Sequence, residues 1–153
     1  MSKEQFIHVD KKGNKFNFSD REMTILHRED GPAVEYAAGG KYWYINGKYH
    51  REDGPAAEYA DGRKSWYING KPHREDGPAI EFANGDKYWY IDGKRHREDS
   101  PAVQHANGDK YWYINGEELT EEEFNARMNP VELTLDEIAC KFGLSVDKLK
   151  IKK

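Results

Sequence analysis

The chain is expected to be mainly β: an elongated antiparallel meander of tandem β-hairpins with a small helical segment at its C-terminus. Three observations lead there. HREDGPA begins at His27, His50 and His73, and the variant HREDSPA begins at His96, a constant step of 23 residues. Trp43, Trp66, Trp89 and Trp112 keep the same step, and a fixed period of this size marks a repeat array. Finally, 13% aromatic residues stand beside only 37% hydrophobic ones. That balance suits an extended array with a thin core, because each unit contacts only its neighbours.

The elements follow in chain order. Residues 1–26 look like a worn copy that caps the array: Phe6–Val9, a turn at Lys12-Gly13, then Lys15–Phe18, without the tryptophan. Terminal units of arrays are atypical because they close an open edge. Residues 27–116 hold four units of the form HREDGPA-x-E-Y-A-x-G-x-K-x-WYINGK-x. In the second unit Ala56–Ala60 leads into Asp61-Gly62, and Lys64–Ile68 leads into Asn69-Gly70. Asp-Gly and Asn-Gly between such runs favour two-residue type I′ turns, which need positive φ at both central residues. Pro55 sits where a strand starts and its missing N–H is tolerated.

A two-residue turn at Asp61-Gly62 sets Tyr59 opposite Lys64 and Ala57 opposite Trp66. Alternation then puts Ala57, Tyr59, Trp66 and Ile68 on one face, expected to be the core, with Ala56, Glu58, Ser65 and Tyr67 on the other.

Residues 117–153 change character, with no Tyr or Trp. Thr120 with Glu123, and Thr134 with Glu137, are capping boxes. They predict one helix to about Met128, stopped by Asn129-Pro130, and a second through Leu135, Ile138, Ala139 and Phe142, ended by Gly143. Ser145 is placed to cap a last turn carrying Val146 and Leu149. Residues 117–137 hold eight acids and one base, whereas 138–153 hold one acid and five bases.

The 23-residue step, the hairpin and Asn-Gly-Lys-x-His at 46–50 and 69–73 resemble MORN repeats. That resemblance implies a single twisted ribbon of hairpins and a role in scaffolding, self-association or membrane contact. Two departures stand out: Arg-Glu-Asp-Gly-Pro replaces the expected glycine pair after the histidine, and Tyr-x-Gly-x-Trp is compressed to Trp-Tyr-Ile-Asn-Gly. HREDGPA with WYxNG is similar to repeats of tailed-phage proteins, which implies a phage-encoded modulator of a host factor or defence system, acting in the host cytoplasm. Leu133–Leu149 is similar to a helix-turn-helix and to the paired helices of LysM modules. It ends too early for a whole LysM and lacks a basic recognition helix.

Chemistry is weighed on the repeats. Equivalent residues of neighbouring units stand about 9–10 Å apart, two strand spacings, so two histidines from adjacent units cannot share a metal ion. Four near-identical loops supply no single asymmetric constellation either. The expectation is no enzyme, no metal and no cofactor. Instead Asp30 and its equivalents fix the turn, Arg28 and its equivalents bridge to a carboxylate, and the histidines fill and bond. The tryptophans are expected in the core.

Tyr44, Tyr67, Tyr90 and Tyr113, with Tyr42, Tyr88 and Tyr111, form an aromatic stripe suited to a protein partner or to self-association in a homo-oligomer. An alternative is a sequestering protein in which Arg28, Arg51, Arg74 and Arg97 hold an anionic nucleotide. A second alternative is DNA binding through the C-terminal helices, although a net charge of -4 disfavours nucleic acid. One cysteine, Cys140, permits no internal disulfide, and no apolar run approaches ~18 residues. A cytoplasmic protein without membrane insertion is therefore expected.

Overall fold

The computed structural model describes residues 5–130 and 134–143. An N-terminal hairpin of β1 (Phe6–Val9) and β2 (Lys15–Phe18) precedes the repeats. The first unit supplies β3 (Val34–Glu35), β4 (Lys41–Tyr42), β5 (Tyr44–Ile45) and β6 (Lys48–Tyr49). The second supplies β7 (Ala57–Glu58), β8 (Lys64–Ser65), β9 (Tyr67–Ile68) and β10 (Lys71–Pro72). The third supplies β11 (Ile80–Glu81), β12 (Lys87–Tyr88), β13 (Tyr90–Ile91) and β14 (Lys94–Arg95). The fourth has β15 (Val103–Gln104), an unbroken β16 (Lys110–Ile114) and β17 (Glu117–Leu119). Helices α1 (Glu121–Met128) and α2 (Leu135–Phe142) follow.

All neighbouring strands are antiparallel. One eleven-stranded sheet runs β1-β2-β3-β4-β7-β8-β11-β12-β15-β16-β17, while β5-β6, β9-β10 and β13-β14 form three small hairpins beside it. The expected meander of hairpins with short C-terminal helices is therefore the architecture.

The first three units bend at their tryptophans. The Trp43 N–H donates to the Ala56 carbonyl at 2.8 Å, within the large sheet, while the Trp43 carbonyl accepts from the His50 N–H at 3.1 Å, within the small hairpin. Trp66 and Trp89 repeat both bonds. One residue thus serves two sheets, and the strand turns from one to the other there. The small hairpins are also tied to each other: Gly70 N–H donates to the Tyr49 carbonyl and Arg51 N–H to the Tyr67 carbonyl, at 2.8 and 3.1 Å.

The two turns of a unit differ. Asn69-Gly70 is the expected two-residue turn, with φ of 51° and 82°, and Ile68 faces Lys71 across it. The Asp61-Gly62 turn is not. Ala57 pairs with Ser65 and Glu58 with Lys64, so Ala60, Asp61 and Gly62 all lie in the loop. Tyr59 N–H donates to the Arg63 carbonyl at 2.9 Å, and only Gly62 has positive φ, 91°. A three-residue loop with glycine in the left-handed position gives a bulge and moves the register by one.

That one residue exchanges the partners of every face. Ala57, Tyr59, Ser65 and Tyr67 share one side, and Ala56, Glu58, Trp66 and Ile68 share the other, with Lys64. On the tryptophan side Lys41, Glu58, Lys64, Glu81 and Lys87 alternate in sign across adjacent strands, a favourable cross-strand arrangement.

The core is thin. Ala33, Ala56, Ala79 and Ala102 are 0% exposed, and among the described residues no large side chain is fully buried. The tryptophans, expected in the core, are only half-buried. They face the loops, and the loops close over the alanines beside them. At the C-terminal end α1 packs on β16 and β17, burying Phe124 to 3% exposure. Both predicted capping boxes form, at Thr120 and Thr134, and Gly143 caps α2 at φ 63°. The last turn predicted from Ser145 lies outside the described residues.

Candidate functional site

The ribbon presents two unlike faces. On the tryptophan face, successive His-Arg-Glu-Asp loops wall three open grooves of about 820, 640 and 610 Å³. Trp43 and Ile45 floor the first, between the loops at Arg28 and Arg51. The arginines, aspartates and histidines there have structural partners. Arg51 stacks at 4.1 Å over the Trp43 ring, and Arg74 and Arg97 stack likewise over Trp66 and Trp89. Arg28, Arg51, Arg74 and Arg97 each donate Nε to the aspartate two residues on, at 2.7 to 2.8 Å. Arg51 Nη1 also reaches Glu58 at 3.4 Å, and Arg74 Nη1 reaches Glu81 at 3.2 Å. The hydrogen bond from each arginine holds the carboxyls of Asp30, Asp53, Asp76 and Asp99 below the usual range.

The histidines tie the two ends of each unit together. Nδ1 of His27, His50, His73 and His96 accepts the backbone N–H of Asn46, Asn69, Asp92 and Asn115, at 3.0 to 3.2 Å. Each thus closes the positive-φ turn that ends the small hairpin following it. Nε2 faces Glu29, Glu52, Glu75 and Glu98 at 3.4 to 3.9 Å. Among the described residues no group of three or more His, Cys, Asp or Glu side chains stands close enough to hold a metal ion.

The opposite face is an aromatic trough. Tyr42 meets Tyr36, Tyr59 and Tyr49 with ring centroids 5.6, 5.3 and 6.2 Å apart. Tyr49 lies 4.3 Å from Tyr44 and stacks on Tyr67 at 5.1 Å. Further along, Phe82, Tyr88, His105 and Tyr111 continue edge to face at 5.1 to 5.8 Å. Tyr90 and Tyr113 are bridged by Arg95, which donates to their hydroxyls at 3.3 and 3.2 Å. The main-sheet and small-hairpin rows meet because the strands bend between Tyr42 and Tyr44.

All seven tyrosines expected to form the stripe lie on this face. Tyr111 is 40% exposed, while Tyr42, Tyr44, Tyr67, Tyr88, Tyr90 and Tyr113 are half-buried. Burial among the rings pushes the phenols of Tyr42, Tyr44, Tyr49, Tyr67, Tyr88 and Tyr113 up. Sequence reasoning omitted Tyr36, Tyr49 and Tyr59, of which Tyr36 is 43% exposed. The signal was present in the step, since positions 36, 59, 82 and 105 read Tyr, Tyr, Phe and His.

No family model matches the chain, and no curated protein matches it. The repeats themselves supply a comparison. On the groove face the copies hardly differ: the tryptophans, Lys41, Lys64, Lys87 and Lys110, and Ile45, Ile68, Ile91 and Ile114 are the same residue in all four. On the trough face the equivalents of Tyr42 are Ser65, Tyr88 and Tyr111. Those of Tyr49 are Pro72, Arg95 and Glu118, and position 40 reads Gly, Arg, Asp and Asp down the array. Tyr44, Tyr67, Tyr90 and Tyr113 are the constant members there. No helix among the described residues is long and apolar enough to cross a membrane.

Proposed function

We propose that the chain is a non-enzymatic binding module whose aromatic trough holds a protein partner. One observation carries the reading: the copies are nearly uniform on the groove face and varied on the trough face. The uniform arginines, aspartates and histidines of the groove face are engaged in bonds within and between the repeats, so the fold itself explains them. The trough positions vary from copy to copy, and a varied row of half-exposed aromatics gives a partner something to distinguish. Tyrosines offer large, stiff contact area at small entropic cost.

The nucleotide-sequestering alternative is less well supported. The guanidinium groups of Arg28, Arg51, Arg74 and Arg97 each bind an aspartate, and an anionic ligand must displace it. A role as a phage-encoded modulator of a host factor rests on the resemblance of the repeats. The test is affinity capture from host lysate with three baits: the unaltered chain, Tyr36→Ser/Tyr111→Ser, and Arg74→Ala. A partner kept by the first and third baits and lost by the second supports the trough. Loss with Arg74→Ala alone, in folded protein, moves the site to the grooves. Sedimentation velocity of the same three proteins tells a second copy from a foreign partner.

A further inference from the structure

In the trough Arg63 has no counter-charge among the described residues. Arg63 occupies the position held by Gly40, Asp86 and Asp109 in the other copies. Its guanidinium lies 3.6 Å over the Tyr59 ring and 5.8 Å from that of Phe82. Its Nε is buried and makes no hydrogen bond. Among the described residues no carboxylate lies within 4.0 Å of it, whereas all four loop arginines have one. A buried donor without an acceptor costs stability, and nothing in the inter-repeat bonding requires this one.

The surroundings are unusual in the same place. The second unit carries Ser65 where the others carry Tyr42, Tyr88 and Tyr111, and Pro72 where the first carries Tyr49. Two rings are therefore missing around Arg63, in the middle of the array. Arg95 lies beyond the neighbouring Phe82–Tyr88 ring pair, bound to tyrosine hydroxyls rather than to a carboxylate. In that network Glu118 accepts from the Tyr113 hydroxyl at 2.6 Å, and Asp86 is paired with His105 at 3.0 Å.

Resting on the reading of the trough as the binding face, we propose that Arg63 receives a carboxylate from an acidic, aromatic-bearing segment of the protein partner, with Arg95 flanking it. A planar guanidinium backed by an aromatic ring matches a carboxylate in two-pronged fashion. Its rings give the partner's own apolar side chains a place to stack. Nucleic acid fits less well, since phosphate recognition needs a track of several cations and the chain is net -4. A free nucleotide fits less well too. The concavity that reaches Tyr59, the ring beneath Arg63, is about 240 Å³, below the usual size of a small-ligand pocket, roughly 300 Å³ or more.

The full chain is titrated with fluorescent poly(Glu,Tyr) copolymer, with poly(Lys,Tyr), a single-stranded oligonucleotide and adenosine monophosphate as competing arms. Binding to poly(Glu,Tyr) alone is expected, weakened about tenfold or more by Arg63→Ala, partly restored by Arg63→Lys and unchanged by Arg74→Gln. Thermal melting of each variant verifies folding, and Arg63→Gln serves if Arg63→Ala melts early. Equal affinity in Arg63→Ala, preference for the oligonucleotide or nucleotide, or no binding of poly(Glu,Tyr) overturns the proposal. The two readings fail separately. If the Tyr36→Ser/Tyr111→Ser chain loses its captured partner while poly(Glu,Tyr) never binds, the trough stands and the acidic segment falls. If that chain keeps both, the trough itself is wrong.

Discussion

The groove face and the trough face are built from the same strands, yet they solve opposite problems. Across the groove face the arginines, aspartates and histidines are matched to partners in the same loop or unit, and the arginine-to-aspartate and histidine-to-backbone bonds recur in all four copies. Across the trough face the contacts are ring against ring, tolerant of Tyr, Phe or His at one position. Directional bonds demand identical residues, whereas aromatic packing accepts substitutes. A repeat protein can therefore hold its geometry with one surface and vary its chemistry with the other.

The strongest way to break this contrast is at the floor of a groove. Trp66→Ala removes the ring under Arg74 and the packing against Ile68, and is expected to cost about 2–3 kcal/mol, less than a fully buried tryptophan. Denaturant unfolding measures it, and a loss under about 0.5 kcal/mol would show that the groove face does not hold the array. Arg74→Ala should come next, at about 1–2 kcal/mol, from the lost stack on Trp66 and the hydrogen bond to the Pro78 carbonyl.

The faces should also separate by pH. Asp30, Asp53, Asp76 and Asp99 have carboxyls held below the usual range, so their contribution is complete above the ordinary carboxylate value, about pH 4. It is lost as pH falls through the lowered values. The trough phenols are pushed up, so their contribution is complete below the ordinary phenol value, about pH 10, and is lost as pH rises. Thermal midpoints should therefore fall at both extremes. Arg74→Ala should flatten only the acid limb, and tyrosinate absorbance should rise together with unfolding on the alkaline limb. Phenols that titrate freely at their ordinary value in folded protein would contradict the packed trough.

The smallest stability effect is expected where function is proposed. Tyr36→Ser/Tyr111→Ser should change stability by under about 1 kcal/mol, because these are the more exposed tyrosines of the trough and surface changes are cheap. A large loss would make the trough a core rather than a contact surface.

Much of this contrast was legible in the sequence. The step, the Asn-Gly turns, the N-terminal hairpin and both capping boxes are local signals written in turn and cap chemistry, and they sit where the residues put them. The arginine-to-aspartate and histidine bonds were foreseen in kind, because four like loops invite like bonds. The register was not. Asp61-Gly62 reads as a two-residue turn, but Ala60 also enters the loop, and nothing local distinguishes the two. From that one residue came the misassigned faces and the tryptophans placed in the core. Arg63 carries no signal in the repeat pattern, because it is one of the positions that break it.

The bend at the first three tryptophans has a consequence for how such a chain can change. Both hydrogen bonds of Trp43 end at the start of the next unit, on His50 and Ala56. The bond from Asn69 reaches back only to His50. An unequal exchange between two like segments of the gene would thus insert or delete a whole unit with every bond remade. The ribbon would lengthen or shorten at constant cross-section, and each insertion would add one more variable set of trough residues, free to diverge.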